Sequence, residues 1–133
     1  MYRIRDWLYI GKHREAGDAS LLRSRGIRAA LHLISDIAPP AGVECLCTPV
    51  EDGEPLPIEK LKRGVAFVRA QKAQGRGVLI ACGAGISRSV AFTMAVLHEE
   101  EGLSLLDAYR AIYQWHRRDT PSRAAHFALR LLQ

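Results

Sequence analysis

The run GVLIACGAGISRSVAFTMAVL, residues 77–97, constrains the fold more than any other part of the chain. Its opening GVLIA is a short continuous apolar stretch, the form taken by a strand covered on both faces. Its closing SVAFTMAVL is apolar nearly all round, the form of a helix in the middle of a fold. Between them stand Cys82, Gly83, Ala84, Gly85, Ile86 and Ser87, a turn of mostly small residues. A strand buried on both faces needs helices above and below it, which calls for an α/β layer structure with a partly parallel sheet.

The remaining segments fit that scheme. YRIRDWLYIG alternates and ends on Gly11, which reads as a hairpin or a pair of strands, and DASLLRSRG reads as a short helix closed by Gly26. IRAALHLI and VECLCTPV read as strands, followed by the breakers APPAG and EDGEPLP. From Pro57 to Gly75, Ile58, Leu61, Val65 and Val68 recur at helical spacing. Ser104 is placed to cap SLLDAYRAIYQWH, with Asp107 three residues on, and Thr120 and Pro121 open a last helix, TPSRAAHFALRLL. No repeat, linker or low-complexity segment interrupts the 133 residues, so a single domain spanning 1–133 is expected.

Bulk properties narrow the function classes. No apolar run reaches the length of a membrane span, and MYRIRDWLYIG lacks the apolar centre of a secretory leader, so a cytoplasmic protein with no membrane partner is expected. Three cysteines, Cys45, Cys47 and Cys82, form an odd set better suited to thiols in a reducing compartment than to a disulfide framework. The net charge of +5 favours anionic partners. Its basic residues are scattered in ones and twos, as in EKLKRG and HRRD, which describes a solvated face and argues against nucleic acid. His13, His32, His98, His116 and His126 show no paired metal spacing, so neither a metal nor another cofactor is expected.

The turn at residues 82–88 carries the chemistry. A strand end, a glycine-rich turn and a helix starting at Arg88 or Ser89 bring backbone N–H groups around one concavity, suited to a tetrahedral oxyanion. Gly83, Ala84, Gly85, Ile86 and Ser87 would present those amides, and Arg88 would add a planar fork for two oxygens at once. In that field the Cys82 thiol is expected to ionise below its ordinary range, which makes it a nucleophile aimed at phosphorus. Ser89 is placed to donate a hydrogen bond to the sulfur as it leaves. The lysine of a Walker loop is absent, which argues against a nucleotide-hydrolysing phosphate loop.

ACGAGISRS resembles the His-Cys-x-x-Gly-x-x-Arg-Ser signature of the dual-specificity branch of the cysteine-dependent protein phosphatases, differing at its first position. WLYIG, LRSRGIRAALHLI and AHFALRLL are similar to that family's early strand, its helix followed by a strand, and its closing helix. The resemblance implies a largely parallel sheet of four or five strands flanked by helices. It also implies hydrolysis of phosphotyrosine and phosphoserine or phosphothreonine in proteins, or of other phosphomonoesters, through a phosphocysteine intermediate. It places a general-acid aspartate on a loop well upstream of the nucleophile, where PVEDGEP offers Asp52, with Glu51 and Glu54 as rivals. One carboxyl there would protonate the leaving oxygen and then deprotonate the attacking water.

Ala81 stands where the family has histidine, which is expected to leave Cys82 less acidic than in relatives and the activity weaker at low pH. That departure motivates a second reading, a phosphate-binding pseudophosphatase. A third class, a sulfurtransferase or arsenate reductase, would not need Asp52. Cys45 and Cys47 share one face of their strand and are expected to pack as small apolar residues; the competing expectation is a protective disulfide between one of them and Cys82. Tyr109, Tyr113 and Trp115 are expected to fill core and interfaces, and Arg117, Arg118 and Arg123 to be solvated.

Overall fold

The computed structural model describes residues 1–34, 38–50, 55–83 and 87–116. The expected last helix, Arg117, Arg118, Arg123, and the acidic residues 51, 52 and 54 lie outside them.

Five strands form one sheet in the order β1-β2-β5-β3-β4. They are β1 (Tyr2–Arg5), β2 (Leu8–Lys12), β3 (Ile27–His32), β4 (Glu44–Cys47) and β5 (Gly77–Cys82). β1 runs antiparallel to β2, and every other pairing is parallel. The sheet therefore has the upper strand number that the resemblance implied, with β5, the most continuously apolar strand, at its centre.

Alternation along the strands splits the core into two layers. Leu8, Ile10, Leu31, Val78, Ile80 and Cys82 face a large cluster built with α3 (Ile58–Ala73), α4 (Ser87–Glu101) and α5 (Leu105–His116). Tyr9, Ala30, Leu79 and Ala81 face the opposite side, where Ala16 of α1 (His13–Ala16) and Leu22 of α2 (Ala19–Ser24) cover them. Helix α4 is buried without a break from Ser89 to Leu97, as its all-round apolar sequence required.

Local signals account for most helix ends. Asp18 caps α2 by accepting from the Leu21 N–H at 3.1 Å, and Ser104 caps α5 by accepting from the Asp107 N–H at 3.1 Å. Pro57 is the extended residue preceding α3 rather than its first helical one. Past the other end of α3, Gly75 takes φ of 76°, a left-handed conformation that glycine adopts without the Cβ penalty. Helix α4 begins at Ser87, one or two residues before the start at Arg88 or Ser89 read from the sequence. The four-residue α1 was not anticipated; its sequence HREA is too short to carry a periodic signal.

Candidate active site

Cys82 is the last residue of β5 and is fully buried, facing the layer of α3, α4 and α5. The chain then passes Gly83 and re-enters described structure at Ser87, the first residue of α4. The positive end of a 15-residue helix thus points back toward the strand end that carries the thiol. This is the strand–turn–helix junction read from the sequence; Ala84, Gly85 and Ile86, expected to supply amides, lie outside the described residues.

Arg88 sits in the first turn of α4 and is partly buried. Its Nη1 donates to the Val50 carbonyl at 2.9 Å. Its Nη2 lies 3.4 Å from the point where a Cβ on Gly83 would stand, so the guanidinium folds back over the start of the loop. A Cβ at residue 83 would stand in ordinary contact with that fork. The Arg88 planar group is thereby positioned at the mouth of the loop by a backbone acceptor from another part of the chain.

Val50 is the last described residue before the segment containing Asp52. It is buried, and its N–H donates to the Leu33 carbonyl at 3.1 Å. The Thr48 N–H donates to the His32 carbonyl at 2.8 Å, and Lys60 Nζ donates to the Pro49 carbonyl. Residues 48–50 are therefore fastened to the end of β3, to α3 and to Arg88. The stretch leading to residue 52 is tied to the same arginine that opens α4. Neither Val50 nor Lys60 stood out in the sequence: a backbone carbonyl carries no residue signal, and Lys60 sits in an ordinary charged helix turn.

Ser89 is fully buried, and among the described residues its Oγ has no hydrogen-bond partner. One turn further along α4, the buried Thr93 Oγ1 is in the same condition. A buried hydroxyl left without a partner costs about 1–3 kcal/mol; the carbonyl one turn before Ser89 belongs to Gly85, outside the described residues.

Ala81 faces away from Cys82, into the cluster beneath α1 and α2, and is fully buried. Its partner across β3 is His32, which is also buried on that face. The imidazole Nε2 lies 3.6 Å from Cys45 Sγ. Burial pushes the His32 pKa below its ordinary value, and burial, with the charges of Cys47 and Glu44, pushes the Cys45 thiol up to about 11.

The cysteines correct one alternative. Cys45 packs on the α1–α2 side of the sheet while Cys82 faces the other side, and β3 separates their strands. Cys47 is exposed at the end of the edge strand β4, its Sγ 3.4 Å from the Ile34 carbonyl. A bridge to Cys82 would have to pass through the sheet, so the protective disulfide is excluded in this fold. Cys45 is half-buried, as a small core-edge residue should be, whereas Cys47 is not buried as expected. Tyr109 and Tyr113 meet as a tilted ring pair, 5.8 Å between centroids; Tyr109 is partly buried, and Tyr113 is 41% exposed.

A sheet-end thiol buried against the layer of α3, α4 and α5 is thus followed by a helix whose first-turn arginine folds back over the start of the intervening loop. Residues 8–133 match the family model described as dual specificity phosphatase, catalytic domain, and the chain belongs to that family. It is 37% identical over 112 residues to mouse dual specificity protein phosphatase 12, covering 80% of this chain and 33% of that protein. To dual specificity protein phosphatase 22 of Xenopus tropicalis it is 32% identical over 115 residues, covering 84% of this chain and 54% of that protein. The chain thus spans between a third and about half of the length of these curated relatives.

Among solved structures, a mouse putative dual specificity phosphatase complexed with zinc tungstate superposes with a TM-score of 0.83 at 29% identity, covering 98% of this chain and 83% of that one. Human DUSP28 superposes with a TM-score of 0.80 at 25% identity, covering 99% and 98%.

Proposed function

We propose that residues 1–133 form one catalytic unit that hydrolyses phosphomonoesters, with phosphotyrosine and phosphoserine or phosphothreonine in proteins as the substrate class. The observation that carries the reading is the junction of Cys82, Gly83 and Arg88 with Val50. A buried sulfur, a helix N-terminus and a planar cation converge there, and the cation is bonded to the base of the segment that holds Asp52.

In the first step the Cys82 thiolate attacks phosphorus, forming the S–P bond as the P–O bond to the leaving group breaks. The Asp52 carboxyl gives its proton to the departing oxygen. The three phosphoryl oxygens rest on the amides of residues 83–88 and on the Arg88 fork, which stabilise the charge spread over them in the transition state. In the second step water attacks phosphorus, its proton passes to the Asp52 carboxylate, and the S–P bond breaks. The Ser89 hydroxyl, without a partner among the described residues, then has a role, a hydrogen bond to the sulfur as it regains negative charge. The residues supply a nucleophile, an acid–base group and an anion cradle, so the scheme calls on no metal or other cofactor.

That a relative is complexed with a tungstate, itself a tetrahedral oxyanion, supports the ligand class. Ala81 favours a second reading, a module that binds phosphate without turnover. The two separate in one experiment. Hydrolysis of p-nitrophenyl phosphate that disappears in Cys82→Ser and slows in Asp52→Asn and Ser89→Ala supports the phosphatase. Phosphate binding with no turnover supports the module, and a normal rate in Asp52→Asn points to a different thiol enzyme.

A further inference from the structure

Beside the proposed cradle lies a pocket of about 230 Å³ lined by Lys12, His13, Arg14 and Gly83. Three consecutive basic residue types meet there at the first residue of the phosphate-binding loop. The sheet register explains the meeting: Lys12 closes β2 as the direct partner of Cys82 on β5, so both stand at the same end of the sheet. The next two residues begin α1.

Lys12, His13 and Arg14 are all exposed, and among the described residues none of their side chains forms an ion pair. The acid that follows them, Glu15, turns back to accept from the Lys12 backbone N–H at 2.9 Å. By contrast, the basic side chains of Arg5, Arg69, Lys72, Arg76 and Arg110 are paired with carboxylates. Other exposed basic residues, among them Arg23, Arg25 and Arg28, are likewise outside ion pairs among the described residues, but Lys12, His13 and Arg14 are the ones that line a pocket together with Gly83.

The pocket lies on the β2 side of Cys82, whereas Arg88 is bonded to Val50 beyond β3 on the other side. A ligand over Cys82 would have Arg88 and Val50 on one hand and these three residues on the other. We propose that Lys12, His13 and Arg14, with Gly83, form a second anion subsite that selects phosphopeptides carrying an acidic or phosphorylated residue next to the phosphoresidue being hydrolysed. This rests on the phosphatase reading above and names its substrate class more closely. Spacing favours a peptide over a polyphosphorylated lipid headgroup. Neighbouring strands are about 4.8 Å apart and successive Cα atoms of a peptide about 3.8 Å, so a cation one strand away matches an adjacent residue. Extra phosphates on a single ring would call for charge inside the cradle, and Ala84, Gly85, Ile86 and Ser87 carry none.

The test compares phosphotyrosine peptides that differ only in glutamate or glutamine beside the phosphoresidue, with a short-chain phosphoinositide bisphosphate as a third substrate. The intact chain is expected to favour the glutamate peptide by about 3- to 10-fold in kcat/KM, the range of a few exposed charge contacts. Lys12→Gln/Arg14→Gln should bring the ratio close to one, as should high salt, while Arg28→Gln, an exposed cation near the start of β3, should retain it. A ratio near one in the unaltered protein, or one unchanged in the double variant, overturns the subsite. A phosphoinositide preference that the double variant abolishes overturns the peptide assignment. If no substrate turns over, the phosphatase reading fails. The subsite is then decided by the affinities of Cys82→Ser for the same two peptides, read by fluorescence anisotropy.

Discussion

Gly64→Ala sets two physical effects of opposite sign against each other. Gly64 lies inside α3, where alanine is favoured over glycine by about 1 kcal/mol on backbone grounds alone. A Cβ built there, however, would stand 2.6 Å from Phe92 Cε1, 2.9 Å from Phe92 Cδ1 and 3.1 Å from Leu31 Cδ2. Carbon atoms in contact prefer about 3.5–4.0 Å, so the ring would have to retreat by about 1 Å. Phe92 is fully buried on α4 within the cluster that α3 and the sheet share, so its retreat would disturb packed neighbours. Overpacking of this kind costs about 1–3 kcal/mol, and with two ring atoms inside contact distance the upper half of that range applies. The net expectation is a loss of about 1–2 kcal/mol, a fall in Tm of about 4–8 °C for a domain of this size. Because Arg88 lies one turn before Phe92 on α4, displacement of Phe92 should also loosen the Arg88–Val50 bond and lower turnover. The assay is thermal and urea unfolding of Gly64→Ala, Phe92→Leu and the double variant. In the Phe92→Leu background the alanine should be neutral or stabilising, which gives a coupling above 1 kcal/mol. A single variant as stable as the parent, or more so, would refute the packing argument and leave helix propensity in command.

Burial lowers the His32 pKa, so the unfolded chain binds a proton that the folded chain refuses. This contribution to stability is complete above about pH 6.5 and is lost as pH falls from there toward the depressed folded value. The urea midpoint should drop between pH 7.5 and 5.5, and should drop less in His32→Gln; equal slopes would contradict it. Cys45, held near a pKa of about 11, should resist iodoacetamide at pH 8 while exposed Cys47 reacts, as read by mass spectrometry of the alkylated peptides. Alkylation of Cys45 at the rate of Cys47 would contradict a thiol suppressed by burial.

The junction of β5 and α4 was legible because strand, turn and helix are contiguous and each carries its own signal. The Ser104 cap and the helix over residues 58–73 were legible for the same reason: spacing and capping are local. What the sequence could not convey was lateral order. That Cys45 and Cys47 share a face follows from alternation. That Cys45 and Cys82 lie on opposite faces of the sheet follows only once β3 is placed between β4 and β5. The basic pocket at Lys12 is invisible for the same reason, since it exists only because β2 pairs with β5 in the register that sets Lys12 beside Cys82. Arg88 is expected from its spacing to be a phosphate fork; the carbonyl it bonds is a group common to every residue, and only the structure could single out Val50.

The account depends on a covalent bond between Cys82 and phosphorus, and trapping that bond tests it most directly. The protein carrying Asp52→Asn, in which the second step is slowed, would be mixed with a phosphorylated substrate, quenched in acid and digested. The peptide holding residues 77–88 would then be sequenced by mass spectrometry. The expected result is one phosphoryl group on Cys82, absent from Cys82→Ser. Phosphate on another residue, or continued turnover by Cys82→Ser, would contradict the account.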